Sequence, residues 1–359
     1  SGVLVYTGDN LAYNKLTTDA NYGTSWFIDA GVLRVTADNN LGDSATIIAA
    51  GTSHTVAGLN TDVRLRGGML SVGGSFTTSH ELILTAASTI EVSGNNTFGA
   101  GLPIIGAFGL TKIGAGNLQL NSTANANNSL TIGGYNGGGG IVSTQMTSGN
   151  PFGTGAITLN GGGIQLQGIV GTAPGIGAIT SGTAQAAVSY VLNVSNSAGI
   201  VAGMGISGTG IAANTIVTAV NGNNITLSAV TSSAVAATTA LTFTTPNQAL
   251  SVASMTYSGA AGVQLIQGTG TTSALTLTGT LTRSTAGMLT ITTSDLGTAL
   301  GNTEKFIVTT TAPGNASGML TLPSIVGRSS ASQDLNFLQY NATNGFMLNS
   351  ATTTGVLSA

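Results

Sequence analysis

The chain has 359 residues, of which only 5% are Asp, Glu, Lys or Arg, with a formal net charge of −3. Ordinary soluble domains carry about 25% charged residues, so hydroxyl and amide side chains must solvate this surface, and the absence of a Lys/Arg cluster argues against nucleic-acid binding. The chain has no cysteine, which excludes disulfides and Cys-ligated metals, and no apolar run of the ~18 residues that a membrane-spanning helix needs.

Short strand-like segments follow one another from the first residues onward. Residues 3–8 read Val-Leu-Val-Tyr-Thr-Gly, and residues 26–35, 63–72, 82–92 and 109–167 contain further segments of a few residues each. Apolar residues alternate with polar ones in these segments, and Gly, Ser or Asn ends each of them, which is typical of strands joined by tight turns. Capped helical periods are missing, so we predict an all-β chain.

One sequence motif recurs along the chain: a Gly followed by an apolar-polar-apolar segment. Its copies are Gly31-Val-Leu-Arg-Val, Gly68-Met-Leu-Ser-Val, Gly116-Asn-Leu-Gln-Leu, Gly163-Ile-Gln-Leu and Gly287-Met-Leu-Thr-Ile. Many short strands are compatible with a sandwich, a barrel or a solenoid. The repetition favours the solenoid, in which each rung turns at Gly and lays a strand over the previous rung.

Residues 109–122 resemble the autotransporter-associated β-strand repeat. Its pattern is Leu-Thr-Lys-x-Gly-x-Gly-x-Leu-x-Leu, and the matching positions are Lys112, Gly114, Gly116, Leu118 and Leu120. Residues 5–43 resemble a second copy, and the C-terminal region is similar to a phrase that follows these repeats in long bacterial surface proteins. The resemblance covers about two thirds of the chain. It implies a right-handed parallel β-helix, and it transfers no catalytic residue.

Residues 184–244, the inserted module, read differently from the rest. They form a compact series of hairpin-like segments with Asn221-Gly222 as a two-residue turn. We therefore predict three parts: β-helix rungs with two repeat copies over residues 1–183, a small β-rich module over 184–244, and further rungs over 245–359.

Few residues offer catalytic or zinc chemistry. The only histidines are His54 and His80, both in Ser/Thr-rich turns. A Ser-His-Asp triad needs a His beside both partners, and zinc needs three or four good ligands. We interpret both as loop histidines and expect no catalytic residue and no cofactor.

Two clusters of charged and oxygen-bearing side chains are alternatives to this interpretation. Asp38, Asn40 and Asp43 are candidate calcium ligands in one short loop, although the spacing fits neither an EF-hand nor a calcium-binding nonapeptide. An Asx turn held by its own side chains is the favoured interpretation. A glycan-active β-helix enzyme would need paired carboxylates, which only one region offers: Asp62, Arg64, Arg66, Glu81 and Glu91. A cross-strand ion pair on a solvent face is the simpler explanation of these residues and is the favoured one.

The apolar, uncharged ends predict how copies of the chain meet. Val3, Leu4, Val5 and Tyr6 form the first strand segment, and Val356 and Leu357 lie in the last one. Exposed strand edges recruit other strands, so we expect these ends to join another copy head to tail or the continuation of a longer chain. The start has neither Met nor a basic leader, which indicates a mature product or an excerpt.

The leading expectation is a non-enzymatic structural protein of a bacterial cell-surface fibre, located outside the cell. The alternatives are an adhesin or autotransporter passenger, in which the inserted module meets a host or matrix ligand such as a surface glycan, and the β-helix enzyme. No nucleic-acid partner and no membrane span are expected.

Overall fold

The computed structural model describes residues 3–6, 26–41, 63–78, 80–133, 140–169, 179–268, 271–310, 323–329 and 335–348. The predicted all-β fold class is confirmed, because these ranges form strands and a single short 3₁₀ turn, Asp38–Leu41. The described part of the chain contains no helix long and apolar enough to cross a membrane. Asp43, His54, Asp62, Val356 and Leu357 lie outside the described residues.

Sixteen short strands precede the inserted module. They are β1 (Val3–Tyr6), β2 (Trp26–Ile28), β3 (Val32–Val35), β4 (Val63–Leu65), β5 (Met69–Val72), β6 (Phe76–Thr78), β7 (Leu82–Leu84), β8 (Ser88–Val92), β9 (Thr97–Ala100), β10 (Ile104–Ile105), β11 (Gly109–Ile113), β12 (Asn117–Leu120), β13 (Ser129–Ile132), β14 (Ile141–Thr144), β15 (Ala156–Asn160) and β16 (Gly163–Gln167).

Sixteen more strands follow, six of them between residues 179 and 244. These six are β17 (Ile179–Thr180), β18 (Val191–Asn193), β19 (Gly205–Ser207), β20 (Val217–Asn221), β21 (Asn224–Leu227) and β22 (Ala240–Thr244). The others are β23 (Gln248–Val252), β24 (Met255–Ser258), β25 (Ala260–Ile266), β26 (Ser273–Leu277), β27 (Leu281–Arg283), β28 (Met288–Thr293), β29 (Glu304–Val308), β30 (Ile325–Ser329), β31 (Asn336–Asn341) and β32 (Gly345–Leu348).

Most strands belong to parallel sheets. A nine-stranded sheet has the order β1-β3-β5-β8-β11-β13-β15-β24-β27, and a ten-stranded sheet has the order β32-β31-β30-β28-β25-β16-β14-β12-β9-β6. Two short sheets, β10-β7-β4-β2 and β23-β26-β29, complete the set. From β4 to β12 the chain passes three times through the same order of sheets: a short sheet, the nine-stranded sheet, then the ten-stranded sheet. The order recurs in β23, β24 and β25, and it begins again with β26 and β27. We call one such pass a circuit, and each strand pairs with a strand of the next circuit.

Alternate residues of these strands face one continuous apolar core, as period-2 alternation requires. In the nine-stranded sheet, one inward column of directly paired residues runs from Leu70 through Ile90, Lys112, Ile132 and Leu159 to Tyr257. All are buried, and the apolar ones belong to the main core cluster. Burying one such apolar side chain contributes ~1.5–3 kcal/mol, so the column stabilises every circuit it crosses.

The strands between residues 179 and 244 form antiparallel sheets of their own. Within the described ranges, β17 to β22 pair only with one another, and their apolar side chains form a second core cluster. The parallel stack continues without this region, because β16 pairs directly with β25, with Ile164 opposite Val263. The inserted module also packs on the stack, since a Cβ at Gly101 would lie 3.3 Å from Ala219 Cβ.

An antiparallel hairpin, β31–β32, ends the ten-stranded sheet. The Tyr340 hydroxyl on β31 donates to the Val308 carbonyl at 2.7 Å and accepts from the Val308 N–H at 2.9 Å, so it satisfies both backbone groups of that residue of β29. Phe346 packs between Tyr340 and Phe306, with ring centroids 5.1 and 5.3 Å away. The hairpin therefore covers β29, as a terminal cap must.

We predict that Tyr340→Phe lowers the free energy of unfolding by about 1–3 kcal/mol, because two buried backbone groups lose their partner. Chemical denaturation measures this loss. Tyr257→Phe is the matched control, since among the described residues the buried Tyr257 hydroxyl has one hydrogen-bond partner, the Ser324 hydroxyl at 3.0 Å. A loss at Tyr340 no larger than at Tyr257 would contradict the capping role.

Candidate functional site

A ladder of six threonines crosses the outer face of the nine-stranded sheet. Successive strand pairs place these residues directly opposite one another, so they stack one per strand: Thr89, Thr111, Thr131, Thr158, Thr256 and Thr282. Five are half-buried and Thr282 is exposed. Parallel strands lie about 4.8 Å apart, so the threonine ladder presents hydroxyl and methyl groups at a constant repeat.

Small and uncharged residues flank much of the threonine ladder. Two positions before each threonine of the middle strands lie Gly109, Ser129 and Ala156, and no charged residue occurs in the sequence between Lys112 and Arg283. Contacts with the part of this face from β13 to β24 would therefore meet no charge repulsion and little steric hindrance. Charge on an edge or face is one means by which proteins block unwanted sheet association.

Amide side chains stack on the ten-stranded sheet in the same manner. Gln165 and Gln264 are directly opposite, and Gln165 Nε2 donates to Gln264 Oε1 at 2.8 Å. Gln119 Nε2 donates to Gln145 Oε1 at 3.0 Å. Such amide ladders add hydrogen bonds parallel to those of the backbone, so side chains as well as strands join successive circuits.

The first predicted assembly segment, Val3 to Tyr6, is a strand at the edge of the nine-stranded sheet. β1 pairs in parallel with β3, in the register Val3 to Val32. In the described part of the chain no strand pairs with its other edge. An edge strand of this kind can act as a template for a further strand.

In the candidate calcium loop the structure describes Asp38 and Asn40, and the side-chain oxygen of Asn40 is engaged within the protein. Asn40 is buried, and its Oδ1 accepts from the backbone N–H groups of Thr36 and Ala37, both at 2.9 Å. Asp38 Oδ1 lies 3.8 Å from His80 Nε2. The side chains thus hold the turn and join it to the turn before β7, an arrangement that leaves Asn40 Oδ1 no role as a cation ligand. Across the described ranges, no group of three His, Asp or Glu residues could hold a metal ion.

Of the charged residues considered for an enzyme, Arg64, Arg66 and Glu81 lie on or beside β4 and β7 of one short sheet, whereas Glu91 lies on the nine-stranded sheet. Arg64 is on β4, whereas Glu91 is on β8 and accepts from the Ser71 hydroxyl at 2.6 Å. Arg66 pairs with Asp29 at 2.6 Å. Both guanidinium groups lie over the half-exposed Phe27 ring, with Cζ 5.7 Å (Arg64) and 5.4 Å (Arg66) from its centroid. This is a cation–π surface patch rather than a pair of carboxylates around a cleft.

Lys112 lies in the inward column between Ile90 and Ile132, fully buried. Its Nζ donates to the carbonyl of Gly114 at 2.5 Å and to that of Gly116. Burial lowers the pKa of this amine from 10.5 to about 8. The lysine therefore satisfies carbonyls of the turn between β11 and β12 at the cost of burying a cation. The alternation of the sequence predicts that Lys112 faces inward. It does not predict that the amine bonds to the carbonyls of Gly114 and Gly116.

Comparisons with known proteins find no match: no family model, no curated protein and no solved structure matches this chain. The resemblance of residues 109–122 to the autotransporter-associated repeat accordingly stays a prediction from motifs. Any function must be argued from the strand edges, the uncharged faces and the inserted module.

The buried Lys112 predicts a specific pH dependence. Between pH 8 and 10.5 the folded chain has released this proton while the unfolded chain still binds it, so the free energy of unfolding should rise with pH, by up to ~3 kcal/mol. Lys112→Met removes this titration at similar volume. Denaturation of both proteins across the window measures the difference, and parallel pH profiles would show that the buried amine does not titrate as described.

Proposed function

We propose that the two long parallel sheets and the short ones are the faces of one right-handed parallel β-helix. The support is the order in which the chain returns to the same sheets, with each strand laid in register on that of the previous circuit. Crossover connections between parallel strands of one sheet are right-handed in about 98% of cases. A stack built in this way is a rod whose length grows with the number of circuits.

On this basis the protein is a non-enzymatic structural component of an extracellular fibre on a bacterial cell. One copy, or one segment of a longer chain, joins the next head to tail. The observation that carries the proposal is β1, an edge strand of a parallel stack whose outer edge no described strand pairs. A contact between the start of one rod and the end of the next is heterologous and does not close, so it generates a filament.

The proposed joint runs through the nine-stranded sheet. β31 and β32 turn the end of the ten-stranded sheet antiparallel and cover β29. The nine-stranded sheet is different, because both of its terminal strands in the described part of the chain, β1 and β27, are parallel to their neighbours. A β27-to-β1 contact between copies would continue the same parallel pairing.

Location at the bacterial surface rests on the resemblance to autotransporter-associated repeats. The uncharged stack supports the same proposal in part, since hydroxyl and amide ladders persist without the ion pairs that salt would screen. A passenger that presents the inserted module to a ligand is the second candidate. Its support is the separate core of that module and its position outside the parallel stack.

We predict that the purified protein forms filaments by negative-stain electron microscopy and that a proline in β1 prevents them. Successive N–H groups of a strand point to opposite edges, so of Leu4→Pro and Val5→Pro one removes a donor at the outer edge and the other a donor toward β3. We expect filament loss from the outer-edge variant with an unchanged midpoint of thermal unfolding, because proline blocks only the edge that it occupies.

Leu4→Ala and Val5→Ala keep the backbone donors and serve as controls that should still polymerise. Isolated single rods of the unmodified protein at all concentrations would contradict self-assembly. Filaments that persist in both proline variants would place the joint elsewhere than β1.

A further inference from the structure

A cleft of about 420 Å³ lies where the inserted module meets the parallel stack. We call it the junction cleft. One wall comes from the module, namely β19, residues 214–216 and Thr244, and the other from Thr147, Ser148, Pro246 and Asn247, which flank β14 and β23. Ligand sites are typically clefts of ~300–1,000 Å³ and often lie between structural units, so size and position fit a small ligand.

The lining of the junction cleft is polar but carries no charge. Its rim carries exposed hydroxyl and amide side chains, among them Ser148, Ser207, Asn214 and Thr244. Pro246 supplies the apolar surface, because Ile206 and Ile216 lie behind the lining and are only 4% and 6% exposed. With no charged residue between Lys112 and Arg283, nothing in the cleft offsets the desolvation of an ionic ligand.

Backbone geometry fixes the positions of these groups. Gly205 pairs with Thr244, and a Cβ at Gly205 would lie 2.6 Å from the Thr244 hydroxyl oxygen, so only glycine leaves that hydroxyl in place. On the opposite side Ile206 N–H donates to the Thr215 carbonyl at 3.0 Å. Asn214 adopts a left-handed φ of 58°. Such a conformation is tolerated by Asn but favours glycine. Asparagine at this position therefore gives a lower free energy of unfolding than glycine would.

We propose that the junction cleft binds a neutral saccharide. A sugar ring offers hydroxyls that both donate and accept, which matches a rim of hydroxyl and amide groups, and C–H faces that match the surface of Pro246. An anionic or cationic sugar lacks a counter-charge here. The cleft lies within one chain, so binding does not depend on the fibre and would occur equally in rods that do not polymerise.

The test is saturation-transfer NMR and calorimetry with a fixed panel at millimolar concentration: glucose, galactose, mannose, N-acetylglucosamine and their β1,4-linked disaccharides. Glucuronic acid and glucosamine are the charged comparisons. We expect binding of at least one neutral sugar, independent of salt. Asn214→Gly and Ser207→Ala should each weaken it about two- to tenfold, the effect of one hydrogen bond.

Matched controls separate a lost contact from a lost fold. Thr238→Gly relieves a comparable left-handed φ of 66° outside the cleft, and Ser251→Ala removes an exposed hydroxyl of β23. Both should leave affinity unchanged, and Asn214→Gly should keep or raise the midpoint of thermal unfolding. No binding by any neutral sugar of the panel, equal or tighter binding of the charged sugars, or binding insensitive to both cleft variants would overturn the proposal. Binding of an unstructured peptide in place of the sugars would also overturn the proposal.

Discussion

Backbone pairing between parallel strands of successive circuits is the interaction on which the rest of the structure depends. The register is continuous from Met69 to Thr282 in one outward column and from Leu70 to Tyr257 in the adjacent inward one. A slip of one residue would turn every apolar side chain outward, so the buried column enforces the register and the register builds the threonine ladder. The inserted module leaves both unchanged, because β16 pairs with β25 directly.

At the turns between parallel strands, some buried backbone groups have no partner in a neighbouring strand. Polar side chains form hydrogen bonds with these groups. Lys112 reaches the carbonyls of Gly114 and Gly116. Glu304, fully buried, accepts from the backbone N–H groups of Gln267 and Ser294 at 2.9 and 2.7 Å. Buried polar groups are almost always hydrogen-bonded in this way. These bonds explain how a chain with so few charges can still bury Lys112 and Glu304.

The sequence predicted local structure better than it predicted partners. Alternation and glycine turns located β11 to β16 within residues 109–167 as strands, because both signals are local. The pairing of Thr158 with Thr256 is not local, and only the recurrence of Thr between two apolar residues, as in Leu130-Thr-Ile and Ile157-Thr-Leu, could have suggested it. The antiparallel β31–β32 hairpin was not predicted, since period-2 alternation is identical in parallel and antiparallel strands. Nor could His80, expected in a loop, be recognised as buried.

In the part of the chain that the structure describes, the nine-stranded sheet begins with the edge strand β1, and an antiparallel hairpin ends the ten-stranded sheet. X-ray diffraction from oriented assemblies of the purified protein tests the central claim most directly. Strands perpendicular to the long axis of a continuous parallel stack must give a meridional reflection at about 4.8 Å. That reflection, persisting through subunit joints as one coherent repeat, is the predicted result. Assemblies without it, or with the 4.8 Å reflection on the equator, would contradict a fibre built by continuing the β-sheet from one copy to the next.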